Sequence, residues 1–369
     1  MKKVIVATIL KVCNYGTALQ VYATQTILQK LGFNVEILNY KQKRLENNKL
    51  LFKSDKAKTT IKNRIYRILS IIYRMIPNII IKNKFEKFLT QYINLTPKEC
   101  TSFEEVNDNY INADAYITGS DQVWNSNYNE GIDKVYYLDF VPNNVKKISY
   151  AASIGMDNFK EEEKENIQML LKKYNSISVR ELSAKSAIKN LGLKVQVVLD
   201  PTLLIPRQEW INISNKKVNE EKYLLLYILG RDKTLLKYAQ EIAKGRNLKI
   251  VKVGLDFIHS KIVNKSYSYA TPNDFISLFI NASYIITNSF HGIAFAINFN
   301  KQFIAIPPKS YQTRLNSILS LFDLEDRMVV NQKLINLKDI DYGQVNQKLD
   351  KMRNSSINFL RESLGENNE

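Results

Sequence analysis

At 369 residues the chain exceeds one ordinary core, so two domains are the starting expectation. An apolar content of 45% excludes wholesale disorder. A formal charge of +17 points towards nucleic acid, but 15 Lys and Arg against 3 Asp and Glu fall within 41–98, and the remaining 38 against 33 are near balance, which argues against a nucleic-acid binder.

Val4–Leu10 is a short apolar run behind Met1-Lys2-Lys3. It looks like a signal peptide only at first glance, because Lys11, Cys13 and Asn14 end it early and no small-residue cleavage site follows. The run predicts a buried first strand, and the cytoplasm as compartment. Thr17–Leu31 carries Leu19, Tyr22, Ala23, Thr26, Ile27 and Leu31 at helical spacing; Gly32 stops it, and Val35–Leu38 restarts a strand. Such a βαβ order predicts a parallel sheet.

Residues 41–98 break the alternation with basic helices and read as an insertion. Pieces such as Ile61–Ile76 are amphipathic, which suits either a solvated basic face or contact with an anionic membrane surface or glycan. Ile65–Ile81 contains Arg67, Arg74 and Pro77, so no bilayer span is expected there. The sheet resumes at Ala115–Thr118, followed by strands at Lys147–Ala151, Ser176–Val179 and Val195–Leu199, with helices over 159–173 and 181–190. Pro201, Pro206 and the polar stretch Asn212–Lys222 read as a linker. A second series of strands follows at Tyr223–Leu229, Leu248–Val253, Tyr284–Thr287 and Phe303–Ile306, with helices near 233–245, 272–281 and from Gly292. The expected fold class is α/β: two Rossmann-like, doubly wound domains. The first covers 1–205 with its insertion at 41–98, and the second 206–342. The polar stretch 343–369 is expected to pack back on the first domain as a helix or tail.

Ligands of open parallel sheets bind beyond the strands' carboxyl ends. Asn14-Tyr15-Gly16-Thr17 follows the first strand and opens a helix; its free N–H groups suit an anion, and a capped strand-to-helix turn explains it equally. Gly119-Ser120-Asp121-Gln122-Val123-Trp124-Asn125 follows 115–118. There Asp121 could take a hydroxyl proton and Trp124 could stack on a sugar, or Ser120 or Asp121 could cap a helix above a core Trp124. Arg180 suits a phosphate or carboxylate, or an ion pair with Glu181. Asp200-Pro201 is a turn initiator that places a carboxylate near the domain junction. Asn288-Ser289-Phe290-His291-Gly292 puts one of two histidines at a helix N-terminus, where the dipole lowers its pKa and attracts anions. His291 is thus an acid/base or anion-binding candidate, while His259 receives no role. Two cysteines, Cys13 and Cys100, supply no disulfide framework, and no metal site is expected.

Together the strand-end motifs resemble the polysaccharide pyruvyl transferase family. The residues that carry the likeness are Asn14-Tyr15-Gly16 with Leu19-Gln20, Gly119 to Asn125, Lys147 to Ser153, Ser178-Val179-Arg180-Glu181, Leu199 to Leu204, and Thr287 to Gly292, over about residues 1–325. The resemblance implies a glycosyltransferase-B-like pair of domains. It also implies pyruvyl transfer from phosphoenolpyruvate to two hydroxyls of one sugar, forming a ketal without a further cofactor. Arg180 and His291 match the family's Arg and His. Many members carry Arg two residues before that His, where this chain has Ser289; Arg314 could replace it. On this reading Arg180 and Arg314 hold the donor, His291 donates a proton or contacts phosphate, and Asp121 is the base. Asn14, Gly16, Ser120, Trp124, Asp200 and Ser289 line the substrate site. The partner is a saccharide or lipid-linked saccharide, with peripheral contact at the membrane surface and no nucleic acid. Two other readings stay open: a nucleotide-sugar glycosyltransferase of the same fold, and a charge-driven binder of anionic polymers.

Overall fold

The computed structural model describes residues 1–42, 61–215, 222–230, 233–255, 260–307, 312–329 and 338–365, with side chains from 77 and 235 onward in the helices that begin at 61 and 233. His259 and 43–60 of the basic segment lie outside them.

Two parallel sheets carry the chain. The first contains β1 (Lys3–Ala7), β2 (Asn34–Ile37), β3 (Ala115–Thr118), β4 (Lys146–Ala152), β5 (Ser176–Val179) and β6 (Gln196–Val197) in the order β2-β1-β3-β4-β5-β6. The second contains β7 (Tyr223–Tyr227), β8 (Lys249–Val253), β9 (Lys265–Tyr267), β10 (Tyr284–Thr287) and β11 (Gln302–Ala305) in the order β11-β10-β7-β8-β9. Buried strands such as Val4–Ala7 and Tyr223–Tyr227 are apolar throughout, as strands covered on both faces must be. The fold is therefore α/β with two Rossmann-like sheets in a glycosyltransferase-B-like pair.

Strand order decides where ligands can enter. In the first sheet the winding reverses between β1 and β3, and in the second between β7 and β10. Such switch points open a crevice at the strands' carboxyl ends.

The helices that bear on this crevice are α1 (Tyr15–Lys30), α2 (Ile61–Tyr92), α3 (Pro201–Leu204), α4 (Pro272–Asn281), α5 (Phe290–Asn298), α6 (Gln312–Leu321) and α7 (Tyr342–Leu364). Several differ from the sequence expectation. The first strand ends at Ala7 rather than Leu10, and the strand expected at 195–199 shrinks to two residues. The expected linker begins instead with α3 and a helix at Arg207–Ile213, because Pro201 and Pro206 sit at helix starts, where a missing N–H costs nothing. β9 is a three-residue edge strand too short to read from its pattern.

The two sheets share one apolar core, which includes Val4 and Val6 of β1 together with Leu225 and Tyr227 of β7. Tyr15 joins them: its ring stacks on Phe275 at 4.7 Å, and its hydroxyl donates to the Ala270 carbonyl at 3.1 Å. Asn298 of α5 donates through Nδ2 to the carbonyls of Thr202 and Ile205. Helix α7 spans both parts. Tyr342 at its start donates to Lys301, and Ser356 near its end accepts from the Leu199 N–H.

Candidate functional site

Both switch points are built by local geometry and then pressed together. Asn14 caps α1, accepting from the Thr17 N–H at 3.2 Å. Thr17 in turn donates from its hydroxyl to Asp121 Oδ2 at 2.7 Å, linking the ends of β1 and β3. Asp121 sits at φ +76°, a left-handed conformation that Asp tolerates better than bulkier residues. In the second sheet Asn288 exchanges two hydrogen bonds with Leu229, linking the ends of β7 and β10. Gly292 is required there: a Cβ would lie 2.2 Å from Thr287 Oγ1.

Between these ends lies a buried ionic cluster. Asp200 accepts from Ser120 Oγ at 2.8 Å, from Arg180 Nη1 at 2.9 Å and from the Thr202 hydroxyl at 2.6 Å. Arg180 also donates through Nε to Glu181 at 3.1 Å, and its guanidinium lies 4.0 Å above the Phe290 ring. Its Nη2 is 4.0 Å from Asp121 Oδ1 and has no hydrogen-bond partner among the described residues. His291 points Nε2 at Asp200 Oδ2 from 3.8 Å, and this nitrogen also lacks a hydrogen-bond partner there. The ring packs on α1, where a Cβ on Gly16 would fall 2.1 Å from Nδ1.

Burial opposes the charge on each group, and the neighbours decide the outcome. For Asp200, burial is outweighed by His291, Arg180 and the Thr202 hydroxyl, which hold its carboxyl at about 2. For Asp121, burial is likewise outweighed, by Arg180, His291 and the Thr17 hydroxyl, and its carboxyl lies below the usual range. Burial pushes His291 down; Asp200 and Asp121 oppose this, while Arg180 and Arg314 reinforce it. Against burial, Glu181, Asp200 and Asp121 raise Arg180 further. The site thus holds ionised aspartates, a fixed guanidinium and a neutral imidazole.

The structure brings Gly16, Ser120, Asp121, Arg180, Asp200 and His291 together. It corrects other expectations. Trp124 is no sugar platform: it is buried, stacks on Tyr137 at 5.5 Å and donates through Nε1 to the Tyr136 carbonyl, because β3 turns its following loop into the outer core. Arg180 makes the ion pair with Glu181 that the sequence offered and a second with Asp200, leaving Nη2. Asn14 serves as a helix cap. Ser289 occupies the N-cap position of α5, beside the Tyr227 side chain. Arg314 lies on α6, half-buried, and acts electrostatically on both Asp121 and His291. Sequence reasoning missed Thr17 as the partner of Asp121 and Phe290 beneath Arg180; the aromatic neighbour of His291 was the only local signal for the latter. Among the described residues no three His, Cys, Asp or Glu side chains are grouped to hold a metal, and no helix is long and apolar enough to cross a membrane.

Paired parallel sheets with ionisable groups at facing switch points define a glycosyltransferase-B-like α/β architecture. Among solved structures, one similar chain is named as a UDP-N-acetylglucosamine 2-epimerase from Listeria monocytogenes, with a TM-score of 0.51 and 10% identity over 98% of this chain and 91% of that one. Another UDP-N-acetylglucosamine 2-epimerase gives 0.51 and 11% over 98% and 95%. These likenesses concern the fold. No curated protein matches. The family model described as polysaccharide pyruvyl transferase matches residues 14–310, and the chain belongs to that family.

Proposed function

We propose that this protein transfers a pyruvyl group from phosphoenolpyruvate to two hydroxyls of a sugar in a glycan or lipid-linked saccharide, forming a ketal and releasing phosphate. One observation carries the reading: Nη2 of Arg180 and Nε2 of His291, without hydrogen-bond partners among the described residues, are both buried where the two switch points meet. The donor's anionic groups complete Arg180, with Arg314 as the second cation.

The residue types suit the bond changes. A proton added to the methylene carbon turns the donor's C2 into an oxocarbenium-like centre. One sugar hydroxyl attacks C2, the C2–O bond to phosphate breaks, and the second hydroxyl closes the ketal. Of the two hydroxyl protons, one balances the proton gained by carbon and the other leaves with phosphate. His291 delivers the first proton. Burial keeps it neutral in the free protein, and a bound anion stabilises its imidazolium. Asp121 takes a hydroxyl proton. Its lowered pKa makes it a weak base, which suffices because a hydroxyl bonding to an oxocarbenium carbon becomes strongly acidic. The scheme uses no cofactor beyond the donor.

The test is phosphate release from phosphoenolpyruvate in the presence of candidate sugars, with thermal shifts for phosphoenolpyruvate and for a nucleotide sugar. Stabilisation by phosphoenolpyruvate with sugar-dependent phosphate release supports the proposal. Stabilisation by the nucleotide sugar alone overturns it in favour of glycosyl transfer.

A further inference from the structure

Helix α2 has one face that no other described residues cover. Its buried residues, Ile81, Phe85, Phe88 and Leu89, join the common core. Across the helix, Ile79 and Ile80 are 52% and 39% exposed, two of the few large apolar side chains left in water. Exposed Lys82 and Lys87 follow within two turns, Lys82 in an exposed pair with Glu86 at 3.5 Å. Lys84 reaches over to the Tyr269 carbonyl at 2.5 Å, and Tyr269 is itself 38% exposed. Upstream on the same helix stand Lys62, Arg64, Arg67 and Arg74, and the helix contains a single acidic residue, Glu86.

The helix itself lies near the candidate site. Phe85 and Leu89 share a small cavity with Ile9, Leu10 and Val12 of the loop that leads into α1. Lys82 and Glu86 lie close enough to act electrostatically on Cys13, three residues before Gly16. A surface seated on α2 therefore lies beside the loop that leads from β1 into α1 and the candidate site.

We propose that α2 docks the protein on an anionic lipid bilayer. Ile79 and Ile80 enter the headgroup boundary, and Lys82 and Lys87 meet lipid phosphates, the arrangement of an interfacial helix. Apolar tips flanked by Lys82 and Lys87 match an anionic bilayer, whereas a soluble polyanion has no use for the isoleucines. Resting on the proposed function, this makes the acceptor a lipid-linked saccharide presented at that surface.

The experiment is co-sedimentation of the full chain with vesicles of phosphatidylcholine alone or mixed with phosphatidylglycerol. Binding is expected only to the mixed vesicles and should weaken as salt rises. Ile79→Glu with Ile80→Glu should reduce it by about tenfold or more per isoleucine. Lys82→Glu with Lys87→Glu should reduce it by on the order of fivefold per lysine. Both pairs are exposed, so unchanged melting is the check on folding. Wild-type protein left in the supernatant with both vesicles overturns the inference. So does a double glutamate variant that sediments like the wild type, or capture by a soluble acidic polysaccharide that ignores the isoleucines. Vesicle binding without any response to phosphoenolpyruvate supports the docking and removes the pyruvyl reading alone.

Discussion

Gly16 and His291 occupy adjoining space across the two sheets: a methyl group on Gly16 would stand 2.1 Å from Nδ1 of His291. The residues are 275 positions apart, yet the ring can aim Nε2 at Asp200 only because α1 begins without a side chain at that point. Gly16→Ala must therefore displace the imidazole. A misplacement of about 1 Å costs on the order of 10²-fold in rate. The variant should fold, with little change in far-ultraviolet dichroism, and lose phosphate release by about that factor.

His291→Ala should lower turnover by roughly 10²–10⁴-fold without unfolding the chain. The pH profile carries more information. Burial holds His291 below its ordinary 6.5 in the free enzyme, so the imidazolium form disappears as pH rises through that lowered value. For the free enzyme, kcat/KM should rise as pH falls below about 6.5. A bound anion pulls the pKa upward, so the corresponding limb of kcat should lie at higher pH. Identical limbs in both profiles would remove His291 as proton donor.

The Arg180–Asp200 pair makes a stability prediction. Arg180→Met leaves Asp200 and Glu181 buried without their cation, which costs about 3–5 kcal/mol, read as a lower urea midpoint. Acid should act through the same pair. Asp200 has its folded pKa depressed from 3.8 to about 2, so its contribution is complete above about 4 and is lost as pH falls towards 2. By linkage that contribution is about 2 kcal/mol at neutral pH. The melting temperature should fall over that window, and Asp200→Asn should flatten the fall.

Because Tyr15, Phe275 and Tyr227 lie in one core with both sheets, equilibrium unfolding should be a single cooperative transition. Phe275→Ala should cost about 3–5 kcal/mol. Two separate denaturation steps in the wild type would contradict the shared core.

Trp124→Phe removes the bond to the Tyr136 carbonyl and some buried area. The outcome expected is a loss of about 1–3 kcal/mol in stability with KM for the acceptor unchanged. A raised KM in a fully stable variant would return Trp124 to the sugar site.

The sequence determined what depends on near neighbours. Apolar runs such as Ile285-Ile286 and Leu224–Leu226 mark covered strands through periodicity alone, and the polar clusters after β1, β3, β5 and β10 mark the ends where ligands of parallel sheets bind. Only the tertiary structure decided which of those clusters meet. A local pattern cannot tell whether Trp124 faces a cleft or a core, since both demand the same ring on the same loop. Nor can it tell that Arg180 is held by Asp200, twenty residues on, or that Gly16 is small for the sake of a histidine in the other sheet. Strand order places those partners, and strand order is settled by long-range packing that no short window of residues contains.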